Sequence, residues 1–414
     1  MKKISFIFFL TFLALVIFNA CDFQSDKKEE KEDFKKFVEA YILKLKKHYA
    51  PDAREHVFEY SIRKKDNKTF EVNITTDVRH LSISEIKNDS TGWKVIFNKH
   101  FLPDSLAEGN FGIIRLAVAN VRVNPSHTAE LATQVLLGMP VKILREKEGF
   151  YQIKTMENYI GWIDPAGIQP MHKNELTAWL QSPKVIFMEA HGKLYTRSDT
   201  ESSQISNLVL NAVMKLVQMQ DVFSLVELPD GRRGYVLNEQ ISTLEEWQLL
   251  NRQLDVNEMI SEVYKKMYGV PYLWGGTSVN AFDCSGFTKT LFHQFGFVLP
   301  RDASQQFKAV KPLELLELNE NLEGIEAGDL LFFGQKRDDH SLKITHVALY
   351  KGSGRILHAA GEVKEESLFE KDSLFNPGRK KSLLGVVRIL GEWPQNAADY
   401  YTSKALEIFF DDLR

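Results

Sequence analysis

Cysteine is almost absent from this chain. Of 414 residues only two, Cys21 and Cys284, are cysteine, which excludes a framework of structural disulfides. Neither sign of charge dominates: 52 Lys and Arg against 55 Asp and Glu leave a net charge of -3 and a pI of about 6.4. That balance offers no electrostatic footprint for nucleic acid, which is not expected as a partner. Long apolar runs are missing as well. The stretch from Ile4 to Phe18 is short for a membrane span. Metal-ligand spacing is also missing. His48, His56, His80 and His100 stand apart, and Asp338, Asp339 and His340 form no compact zinc pattern. No metal or other cofactor is expected.

What is present begins with Met1-Lys2-Lys3, the short apolar run, and Asn19-Ala20-Cys21. Positive charge, apolar core and a small residue describe a signal peptide. A cysteine directly after the small residue resembles a bacterial lipoprotein signal, although Phe18 stands where Leu is usual. The resemblance implies cleavage before Cys21, lipidation of Cys21, and a lipid anchor in a membrane of the cell envelope, facing the periplasm or the surface. Residues 22–33 are charged with one aromatic, the composition of a tether.

The length exceeds one compact core and predicts two to four domains. Apolar residues at 34, 37, 38, 41, 42 and 45 predict a helix, and Phe70, Val72 and Ile74 and then Trp93–Phe97 predict strands. Residues 34–108 therefore read as a small α+β domain with no visible chemistry. A repeat follows with a constant offset of 73 residues: Gln134–Leu144 aligns with Asn207–Val217, and Gly161-Trp162-Ile163 with Gly234-Tyr235-Val236. Each copy, 109–182 and 183–244, predicts a small β-barrel of short strands. Residues 245–395 form a third unit, and 396–414 a C-terminal helix. The expected fold class is α+β and multidomain.

Cys284 lies in Phe282-Asp-Cys-Ser-Gly-Phe287. Phe287, Leu291 and Phe295 fall four apart and predict a buried helical stripe, with Asp283 as N-cap and Cys284 in the first turn. A helix N-terminus favours an anion, so a lowered thiol pKa is expected. His346 and His358 flank Lys351-Gly-Ser-Gly354, a turn by composition. A loop of Lys351 to Ser353 would set His346 directly opposite His358 on one face of a hairpin. A lone thiol with two paired histidines is the pattern of a cysteine nucleophile with its base and orienter.

Pro271-Tyr-Leu-Trp-Gly-Gly276, Asp283–Phe287, Leu299-Pro-Arg301, Ala327–Phe333, Thr345–Tyr350 and His358-Ala359 together resemble the NlpC-type cell-wall cysteine peptidases. The resemblance implies a papain-like catalytic domain, with Cys284 as nucleophile, His346 as general base and His358 as the orienting residue. It further implies Tyr272 near the oxyanion, and Asp283 and Ser285 as substrate contacts. The activity implied is hydrolysis of the γ-D-glutamyl-L-diamino acid bond of peptidoglycan stem peptides. The two β-barrels resemble bacterial SH3-like domains, which points to a subgroup that prefers a free N-terminal L-Ala. In that subgroup the first barrel closes the cleft and binds the ammonium. Here Glu130 and Tyr159 are the candidates, with Asp302 beside them, since Ala303 stands where serine is frequent. Other readings are a peptidoglycan-binding module with a vestigial hydrolase domain, and an amidase or acyltransferase on the same fold.

Overall fold

The computed structural model describes residues 30–88, 92–104, 110–253, 255–310 and 322–411. The expected signal segment, Cys21 and most of the tether lie outside them. The remainder of the expected tether, residues 30–33, is the first turn of a helix that runs to residue 49. Among the described residues no helix is long and apolar enough to cross a membrane.

The chain divides into two compact units, one ending at Leu102 and the other beginning at Pro103. In the first, the helix buries Phe34, Val38 and Ile42 against a four-stranded sheet. Phe37, expected on the same face, is exposed. The strand order is Phe58–Asp66, Thr69–Thr76, Trp93–Phe101, Lys87–Asn88. The two central strands run parallel.

The second unit opens with two seven-stranded sheets of identical order. The 73-residue offset seen over part of the sequence holds throughout. Leu131–Leu136 corresponds to Gln204–Val209, Phe150–Lys154 to Phe223–Glu227, and Phe111–Ile114 to Lys184–Phe187. Each copy ends in a helix that the strand pattern did not predict, Lys173–Gln181 and Leu244–Asn251. The second copy therefore runs past the expected boundary at 244.

The C-terminal part packs the helix Cys284–Gln294 on a five-stranded antiparallel sheet. Its strand order is Glu362–Ser367, Arg355–Ala360, Leu342–Gly352, Leu330–Lys336, Leu383–Val387. Phe287 and Leu291 are fully buried in that contact. The expected C-terminal helix is a 3-10 turn, Ala397–Tyr401, followed by a helix at Lys404–Asp411. The Tyr401 hydroxyl meets His293 Nε2 at 2.9 Å behind the Cys284 helix.

Candidate active site

Asp283 caps the Cys284 helix as its chemistry predicts, its carboxylate accepting from Gly286 N–H at 2.7 Å. Gly286 itself has a packing reason. A Cβ there would lie 2.0 Å from the carbonyl oxygen of Gly276, so only glycine lets the helix start so close to the Tyr272–Gly276 loop. Cys284 is thus fixed in the first turn, nearly buried beneath the strand that carries His346.

The thiol departs from expectation. Burial, and then the neighbouring Asp283 charge, push it up to about 11, while N–H groups of Val347 and Ser285 act in the opposite direction. The helix terminus does not outweigh removal of the sulfur from water. His346 moves the other way: burial, and then His358 and Arg379, hold it well below the usual imidazole range. At neutral pH the pair rests as thiol and neutral imidazole.

The hairpin keeps the expected face and changes the register. The turn has two residues, Ser353 and Gly354, both with positive φ, and it is closed by Gly352 against Arg355. Lys351 bulges out, and Tyr350 pairs with Ile356. Direct opposition of His346 and His358 is therefore wrong by two positions. A shift of two preserves the face, and the rings meet on the diagonal. His346 Nε2 lies 2.7 Å from His358 Nδ1, with the rings at 87°. Because His346 Nε2 is taken, Nδ1 is the ring nitrogen left for the thiol. His358 is fully buried, and its Nε2 lies 3.1 Å from Glu366 Oε2.

The first barrel meets this domain through the strand Leu131–Leu136 and through the turn that carries Glu157 and Tyr159. Gln134 accepts from Thr277 N–H and from the Ser278 hydroxyl, each at 3.1 Å. Gly275, with φ at +85°, leaves no room for a Cβ against the Leu131 carbonyl. Arg301, wholly buried, donates to Asp283 at 2.5 and 3.1 Å, to Ser285 Oγ at 3.1 Å and to Thr133 Oγ1 at 2.8 Å. One guanidinium thus ties the barrel to the nucleophile's cap.

The structure places the expected binding residues in two groups. Glu130 accepts from the indole N–H of Trp274 at 2.7 Å, beside the Tyr272–Gly276 loop. The Tyr159 hydroxyl donates to Asp302 at 3.2 Å across the barrel contact. Tyr272 is half-buried, and burial with the Cys284 and Asp283 charges raises its hydroxyl to about 12, so it remains a hydrogen-bond donor. Asp283 and Ser285 stand beside the nucleophile with their side chains engaged by Arg301. Sequence reasoning missed Arg301, Trp274 and Glu366 as parts of the site. Arg301 and Trp274 lie inside quoted motifs, whereas Glu366 could be found only from the pairing of its strand with that of His358.

A buried thiol at a helix start, against the strand of a histidine that is itself held by a second histidine, defines a cysteine hydrolase site. The comparisons with known proteins place it further. A profile for the NlpC/P60 family matches residues 269–388, and one for the bacterial dipeptidyl-peptidase Sh3 domain matches residues 121–168. The chain therefore carries an NlpC/P60 domain behind a bacterial SH3 domain. It is 27% identical over 269 residues to the γ-D-glutamyl-L-lysine dipeptidyl-peptidase of Bacillus cereus, covering 63% of this chain and 76% of that protein. To dipeptidyl-peptidase 6 of Lysinibacillus sphaericus it is 26% identical over 278 residues, covering 64% and 93%. The crystal structure of an NlpC/P60 family protein from Bacillus cereus superposes with a TM-score of 0.57 at 21% identity, covering 68% of this chain and 99% of that one.

Proposed function

We propose that the chain is a cysteine peptidase that hydrolyses the γ-D-glutamyl-L-diamino acid bond of peptidoglycan stem peptides. Its preferred substrates are murein fragments with a free N-terminal L-Ala, as in cell-wall recycling. The observation that carries this reading is the contact His346 Nε2 to His358 Nδ1, which leaves Nδ1 of His346 for the adjacent thiol. The relatives named above support the substrate class. The chain acts in the cell envelope, held at a membrane by lipid on Cys21.

The chemistry follows from the resting state. As the γ-carbonyl approaches, His346 Nδ1 takes the Cys284 proton and sulfur bonds to carbon. The oxyanion receives the Cys284 N–H and the Tyr272 hydroxyl. Protonated His346 then gives its proton to the departing amine, the C–N bond breaks, and a thioester remains. Water, deprotonated by the same nitrogen, releases L-Ala-D-Glu and restores the thiol.

Glu130, on Trp274, and Tyr159, on Asp302, lie at two points where the first barrel meets the catalytic domain, and in this reading they and Asp302 bind the ammonium of L-Ala. Asp283 and Ser285 serve the acyl side directly or by placing Arg301. A vestigial binding module is the less economical alternative, because the thiol and both histidines are intact. Incubation with insoluble sacculi and with soluble tripeptides separates the two. Cleavage of tripeptides with weak retention on sacculi supports the peptidase. Strong retention without any cleavage refutes it.

A further inference from the structure

We infer that Glu366 sets the tautomers of both site histidines, and so keeps the Nδ1 of His346 unprotonated toward Cys284. A single proton lies between His346 Nε2 and His358 Nδ1, 2.7 Å apart, and it can belong to either ring. If it sat on His358, the other nitrogen of that neutral ring would be bare and would face Glu366 Oε2 at 3.1 Å. Two lone pairs would then confront each other in a buried setting. With the proton of His358 on Nε2, that positive N–H lies 3.1 Å from the carboxylate charge, off the line of a hydrogen bond but attracted where a bare lone pair would be repelled; Nδ1 then accepts from His346, and the free nitrogen of His346 is a base.

The carboxylate is held for this role. From its own strand Lys364 Nζ reaches it at 2.9 Å, and from the loop capping the next helix Asn376 Nδ2 donates at 2.9 Å. Arg379 of the helix Pro377–Ser382 adds a cation at 3.7 Å. Burial opposes the charge, but the bonds from His358 and Lys364 prevail and bring the group down to about 2. Glu366 is therefore an anion at every working pH. It touches neither thiol nor substrate and acts as a positioning residue through His358.

The inference rests on the peptidase reading only in its kinetic arm, because tautomers can be read without substrate. Long-range ¹H–¹⁵N spectra of the histidine-labelled chain at about pH 8 distinguish bare from protonated ring nitrogens. The expected result is His358 and His346 each protonated on Nε2. A proton on His346 Nδ1 in the unaltered chain overturns the proposal whatever any variant does. Glu366→Ala should mix the tautomers and lower kcat roughly tenfold to a hundredfold, with KM within about twofold. Glu366→Gln keeps an acceptor oxygen and should retain both the tautomers and more of kcat. Unchanged tautomers in Glu366→Ala, whether or not kcat falls, would reduce Glu366 to a structural ion pair and overturn the role. Absence of turnover in the unaltered chain, with the expected tautomers present, would count against the peptidase and leave the tautomer assignment standing.

Discussion

Cys284 and His346 rest neutral because both are buried, and burial disfavours a thiolate as well as an imidazolium. The sign of the pH dependence follows. The active free enzyme holds one proton on the pair, so it is lost in acid when His346 gains a second and in base when the thiol loses its own. With His346 well below 6.5 and the thiol near 11, kcat/KM should stay flat through neutrality. It should fall in acid only below the ordinary histidine range, and in base only toward 11. An acid limb above that range would contradict the neutral pair. Iodoacetamide should also alkylate Cys284 more slowly at neutral pH than it does a free cysteine. Arg301 makes a second test. Arg301→Ala strips the buried Asp283 of its guanidinium and leaves it only N–H and hydroxyl donors, which costs about 3–5 kcal/mol of stability by denaturant unfolding. Arg301→Ala with Asp283→Asn should cost less than Arg301→Ala alone. These two residues were legible as motif letters, but their pairing was not. The third member, Thr133, is remote in sequence, and nothing local announces the contact.

Secondary structure was legible where one local signal decided it. Asp283 and the apolar stripe placed the Cys284 helix, and the repeat offset located the strands of both barrels. The hairpin shows the limit. Composition fixed a turn at Lys351–Gly354, while a bulge at Lys351 shifted the pairing by two and spared the face. The thiol pKa was misjudged for a related reason: burial is set by neighbouring elements, whereas the helix end is local. At the helix start, Gly286→Ala should force the helix from the Gly276 carbonyl, at roughly 1–3 kcal/mol for overpacking. Activity should fall more steeply than stability, because Cys284 moves with that turn. Behind the same helix, burial and Lys289 lower His293 to about 3. The unfolded chain then binds the extra proton as pH falls from 6.5 toward 3, so the stability present above 6.5 is lost across that window. His293→Gln, which can still bond Tyr401, should flatten this acid loss in thermal melts.

The arrangement of domains gives the chain its selectivity in our reading. The first barrel contributes Glu130 at the Trp274 loop and Tyr159 at Asp302, and a long glycan-linked stem would meet its wall. The paired barrel architecture was visible in the 73-residue repeat, and the resemblance assigned the first barrel to the site, but the contacts by which Leu131–Leu136 docks are a tertiary matter. Glu130→Gln and Tyr159→Phe should each raise KM for free-amine peptides about tenfold, the worth of one charge-assisted hydrogen bond, with kcat little changed. The most direct test is mass spectrometry of L-Ala-γ-D-Glu-L-diamino acid tripeptides, free and N-acetylated, with the natural chain and Cys284→Ala. The natural chain should release L-Ala-D-Glu from the free peptide, the acetylated peptide should survive, and Cys284→Ala should release nothing. Equal turnover by Cys284→Ala, or no turnover of either peptide by the natural chain, would contradict the cysteine peptidase proposed here.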